Sequence, residues 1–166
     1  VKNNPEQIIL AIDPGYDRCG VSIISTGTTT ELLHSQCIET NKKESHSQRF
    51  AQIYKTLEEI IEKWKPQAIA LETLFFSVNK KTVIAVAESR GIIVLLAGLH
   101  NLSLIELSPQ EVKLSMTGSG NADKRAVQKM VEMILKIDIS KKLDDEIDAI
   151  ALGMAAAGTL RLNNFL

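Results

Sequence analysis

Residues 8–40 read IILAIDPGYDRCGVSIISTGTTTELLHSQCIET, and the spacing within this stretch decides the architecture. The apolar run at 8–12 closes on Asp13-Pro14-Gly15, which reads as a buried strand running into a turn. GVSIIS at 20–25 and TELLHSQCIET at 30–40 are two further strands, separated by Thr26-Gly27-Thr28-Thr29. Connections this short join antiparallel neighbours, so the chain opens with a three-stranded meander.

Beyond residue 40 the period changes. Phe50, Ile53, Leu57, Ile60, Ile61 and Trp64 recur at helical spacing, and Pro66 stops that helix. AIALETLF at 68–75 is the next strand, and a second helix is expected over 79–98, with Asn79 as cap and Gly91 as a weak point. LSLIEL at 102–107 is a strand. Ser108-Pro109-Gln110-Glu111 starts a helix, with a capping hydroxyl, proline at the first position and Glu at the third. Residues 117–121 read as a flexible loop, and helices follow over 123–135 and 144–160. Strands, then alternating helix and strand, then helices: the order predicts an α/β fold, a mixed sheet flanked by helices in a single domain spanning 1–166.

Composition narrows the function classes. Nineteen Lys and Arg stand against twenty Asp and Glu in 166 residues, a net charge of -1. That balance argues against a protein that coats nucleic acid by bulk charge, though not against local contacts. Two cysteines, Cys19 and Cys37, make neither a disulfide scaffold nor a zinc motif and fit a reduced, cytoplasmic chain. The apolar stretch GIIVLLAGL at 91–99 is too short to cross a membrane.

Four carboxylates stand out. Asp13 lies at the end of a buried strand, where ligands collect in open α/β sheets, although an Asp-Pro-Gly turn explains an Asp as well. Glu72 interrupts an apolar strand, a costly place for a charge unless it pairs, binds metal or reaches solvent. Asp145 and Asp148 are three apart and share a helix face; helix-terminal charge preference accounts for Asp144 and Asp145 but less well for Asp148. Hard oxygen donors without His or Cys point to Mg²⁺, with Mn²⁺ able to take its place. Three or four such groups can hold two ions ~4 Å apart, the arrangement used for phosphodiester hydrolysis.

The combination of IDPG at 12–15, ALETLFF at 70–76, GSGNADKRAVQKMV at 118–131 and DEIDAIALG at 145–153 resembles the RuvC family of Holliday junction resolvases. The resemblance covers about residues 7–160, with all four motifs in the family's order. It implies a ribonuclease H-like fold with a five-stranded mixed sheet and a Mg²⁺-dependent crossover junction endodeoxyribonuclease. Such an enzyme resolves four-way junctions by symmetric nicks, in DNA recombination and repair. It further implies that Asp13, Glu72, Asp145 and Asp148 are catalytic and hold two ions, that Phe75 stacks on a base, and that Lys113 and Lys124 contact phosphate. A homodimer through the 79–98 helix and a branch-migration motor are the implied protein partners. Ile147 departs from the family, whose members commonly carry a small residue there.

The residues suggest further DNA contacts. One of Phe75 and Phe76 is expected to face a base, because strand neighbours alternate. Gly118 and Gly120 would let DNA approach the backbone. Lys124, Arg125, Lys129, Lys136, Lys141 and Lys142 form a candidate phosphate track, with Lys42, Lys43, Arg49, Lys80 and Lys81 as further candidates. Other readings are a nuclease for flaps or other branched DNA, and a non-catalytic junction-binding protein. An actin-like or sugar-kinase-like phosphotransferase also opens with a strand, an Asp and a Gly, but this chain is too short for two such lobes.

Overall fold

The computed structural model describes residues 6–73 and 80–163, the backbone alone for 80–82 and 161–163. The meander is β1 (Ile8–Asp13), β2 (Arg18–Ser25) and β3 (Glu31–Glu39), followed by α1 (His46–Trp64), β4 (Ala68–Glu72), α2 (Lys80–Leu99) and β5 (Ser103–Leu107). Helices α3 (Pro109–Thr117), α4 (Lys124–Leu135) and α5 (Asp144–Asn163) complete the order. The five strands lie in the order β3-β2-β1-β4-β5. β1 and β2 pair antiparallel, as do β2 and β3, whereas β4 is parallel to both β1 and β5.

Alternation along the strands divides the core in two. Leu10 and Ile12 of β1, with Val21, Ile23, Ile69 and Leu71, face α1 and α2. Ile9 and Ala11, with Ile24 and Ala70, face α3, α4 and α5. The period of two then carries Asp13 and Glu72, the next residues in the second series, onto the α5 side of the sheet. Ile12 pairs with Leu71, so the two acids leave adjacent strands at the same level.

The helix boundaries follow their local chemistry. Ser45 caps α1 in a capping box with Gln48, and Lys65 closes it in the left-handed conformation before Pro66. Ser108 and Glu111 form the same device on α3, which ends on Gly118 at φ 78°. Asp123 caps α4, its carboxylate accepting from the Ala126 N–H. Helix α2 runs through Gly91 without a break, while its expected cap Asn79 lies outside the described residues.

Thr117 closes α3, and residues 118–121 lie in the loop that the composition suggests. The Thr117 hydroxyl donates to the Lys113 carbonyl at 2.8 Å and accepts from the Ser119 N–H, and the Ala122 N–H closes onto the Ser119 carbonyl. The Thr117 hydroxyl therefore ties the turn to the last turn of α3. Ile147 is buried in the core beside α4, lining a groove with Gln128 and Lys129.

Candidate active site

Helix α5 reaches the sheet through small residues. Gly20 pairs with Asp13 across β1 and β2, and a Cβ on Gly20 would lie 1.8 Å from the Asp145 carbonyl oxygen. Only glycine admits the first turn of α5 there. One turn further on, the buried Ser22 hydroxyl donates to the Ala149 carbonyl at 2.8 Å. Gly153 continues the stripe, where a Cβ would meet Ile24 at 2.6 Å. The residues at 146, 149 and 153 thus face β2 and β3, which leaves Asp145 and Asp148 directed along the lip formed by Asp13 and Glu72.

The electrostatics show that the four acids share one field. Burial, reinforced by the charges of Asp148, Glu72 and Asp145, pushes Asp13 from 3.8 up to about 7, against the opposing pull of Lys124. Burial and Asp148 raise Glu72, tempered by Lys113. Burial likewise raises Asp148, while Lys124 works in the opposite direction. The Lys124 ammonium lies 2.8 Å from Asp148 and 3.5 Å from Asp144. Burial works against its charge, but those two carboxylates outweigh it and hold its pKa above the ordinary lysine value.

Two openings flank this lip. A cavity of about 280 Å³ is lined by Glu72, Lys113, Lys124 and Asp148 between α3, α4 and α5. A larger groove of about 910 Å³ runs past Tyr16, Arg18, Thr40 and His46 to Asp145. Arg18 stands 3.9 Å from Asp145 and 3.6 Å from Glu39. Among the described residues, no group of three or more His, Cys, Asp or Glu is arranged to hold a metal ion. The donor chemistry nevertheless suits hard divalent cations: oxygen donors only, with the Lys124 ammonium set against Asp144 and Asp148.

Several expected contacts resolve differently. Arg49 is no surface phosphate ligand; it is 6% exposed and braces the turn that follows Asp13. Its Nε donates to the Thr40 hydroxyl at 2.9 Å, its Nη2 donates to the Tyr16 carbonyl at 3.2 Å, and it pairs with Asp17. The guanidinium also lies 3.7 Å from the Tyr16 ring centroid. Lys42 is paired with Asp17, and Lys142 is turned inward onto Glu146. Arg125, Lys129, Lys136 and Lys141 are exposed, and Arg125 and Lys129 line a groove of about 500 Å³. Phe75 and Phe76 lie outside the described residues. Gly118 serves as the α3 cap, and Gly120 packs near the Gln110 carbonyl. Sequence reading missed Gly20, Ser22 and Arg18; a glycine inside an otherwise regular strand was the one available signal.

Comparison with known proteins agrees with this geometry. The family model for crossover junction endodeoxyribonuclease RuvC matches residues 9–156. The crossover junction endodeoxyribonuclease RuvC of Brachyspira hyodysenteriae is 43% identical over 158 residues, which is 95% of this chain and 98% of that protein. Its counterpart from Natranaerobius thermophilus is 38% identical over 160 residues, 96% of this chain and 99% of that protein. Among solved structures, Thermus thermophilus RuvC in complex with Holliday junction substrate superimposes with a TM-score of 0.88 at 25% identity. That match covers 95% of this chain and 96% of the other.

Proposed function

The chain belongs to the crossover junction endodeoxyribonuclease RuvC family, and from that premise we propose that it resolves four-way DNA junctions by divalent-metal-dependent hydrolysis, nicking two equivalent strands. The observation that carries this reading is the shared field of four carboxylates brought by β1, β4 and α5 to one lip, with Asp13 held near 7 by burial and by its neighbours' charges. Asp13, Glu72, Asp145 and Asp148 would hold the ions. Bound divalent cations supply the positive potential that lets an acidic lip accept a phosphodiester and that favours attack by water.

The chain's own residues do the rest. Lys113 and Lys124 line the cavity beside Glu72 and Asp148 and are suited to orient a phosphate. Lys124 is now tied to Asp144 and Asp148, so its release toward DNA would accompany neutralisation of those carboxylates. Arg125 and Lys129 extend the positive surface away from the lip. Ile84, Leu95 and Leu99 of α2 are 63%, 56% and 59% exposed, an apolar face that suits the homodimer needed for a second cut.

The test is cleavage of labelled four-way, three-way, flap and duplex DNA with Mg²⁺ or EDTA. Paired symmetric nicks on the four-way junction alone, lost in D13N while junction binding persists, are the expected result. Equal cutting of flaps would replace the junction reading with a general branched-DNA nuclease. Wild-type rates in D13N would remove the metal assignment altogether.

A further inference from the structure

A polar cluster on the far side of α5 from the acidic lip has no part in the chemistry above. The Ser35 hydroxyl on β3 donates to Glu146 Oε1 at 2.6 Å. Lys142 Nζ donates to the same oxygen at 2.7 Å and to Ser35 Oγ at 2.9 Å. Glu146 is 9% exposed, and its side chain and that of Lys142 are largely covered. Ser35 pairs with Ser22 across β2 and β3, so two neighbouring serines grip successive turns of α5, one at Glu146 and one at Ala149.

We propose that Ser35, Lys142 and Glu146 form a positioning latch that fixes the rotation of α5 about its own axis, and so directs Asp145 and Asp148 at the metal site. The inference rests on the metal-site reading given above. Two physical arguments carry it. Residues three to four apart share a helix face, so anchoring 146 and 149 to the sheet sets the direction of 145 and 148. The cluster is also a poor stabilising device, since a buried ionic group can be exchanged for apolar side chains of similar volume at little cost in stability. What apolar contact cannot reproduce is directional restraint. At Gly20 the first turn of α5 lies directly on the β2 backbone, with no side chain there to key its rotation.

The latch acts at one remove from the metal, like the outer hydrogen-bond partners that orient ligating carboxylates. Mn²⁺ binding to the DNA-free protein, followed by electron paramagnetic resonance, reads it without relying on cleavage. S35A and E146Q are each expected to raise the half-saturating Mn²⁺ concentration about tenfold. The double variant should be no weaker than E146Q alone, because the two residues act as one unit. S35T, which keeps the hydroxyl, should bind as the wild type does. Unchanged Mn²⁺ affinity in S35A and E146Q, beside a wild type that binds, overturns the latch, whatever happens to the melting midpoint. S35T as weak as S35A overturns it too. A wild type that binds no Mn²⁺ overturns the metal-site reading and the latch with it.

Discussion

Replacing Asp13 by Asn should make the metal-free protein more stable at alkaline pH. Asp13 rises from 3.8 to about 7 in the folded protein because it is buried among like charges. The folded state therefore holds a proton that the unfolded chain has released between those two values. Stability is full below pH 4, declines as pH rises toward 7, and stays reduced above it. The span corresponds to roughly 4 kcal/mol when Asp13 is fully ionised. Glu72 and Asp148 are raised as well and act in the same direction. Asn keeps the shape of the side chain without the charge. In EDTA at pH 8, D13N should exceed the wild type by up to ~4 kcal/mol, or about 8–16 °C in melting midpoint for a chain of this size. At pH 4 the two should nearly coincide. Adding Mg²⁺ at pH 8 should reverse the order, because bound metal stabilises only the protein that holds it well. Urea unfolding followed by circular dichroism, across this pH range with EDTA or Mg²⁺, measures each point. Parallel pH curves in EDTA, with D13N no more stable at pH 8, would refute the claim that these carboxylates repel one another across one lip.

Two further changes probe how the lip is held. Gly20→Ala should cost about 1–3 kcal/mol in urea unfolding, because the new methyl meets the Asp145 carbonyl and must displace α5; an unchanged midpoint would mean the helix is not seated on β2. Arg49→Met should cost ~2 kcal/mol by the same measurement, since it strips partners from the Tyr16 carbonyl and the Thr40 hydroxyl. Faster amide exchange at residues 14–17 should accompany that loss, and normal protection there would show that the turn holds itself.

Much of the architecture was legible because it is written locally. The alternation of β1 and the spacing from Phe50 to Trp64 follow from periods of two and 3.6. The Ser45 and Ser108 caps lie within three residues of their partners. The four acids were conspicuous because each sits where a charge is expensive or crowded. Lysines were read less well. Lys124 and Lys142 count equally as surface charge in the sequence, yet one turns to Asp148 and the other to Glu146. Arg49 was misread for a related reason. Its cost of burial is offset by the Tyr16 carbonyl, Thr40 and Asp17, partners that come together only where the β1–β2 turn meets the end of β3.

By itself, then, the sequence determined the strand and helix order, the mixed sheet and the identity of the acids at its lip, since these depend on periodicity, caps and residue type. The tertiary structure alone decided how those acids are aimed. Ser22 and Ala149 stand 127 residues apart, and no local pattern records that the hydroxyl of one holds the carbonyl of the other. The rotation of α5, the turn of Lys124 onto Asp148 and the contact at Gly20 all arise from such distant pairings, where packing fixes a direction that composition leaves open.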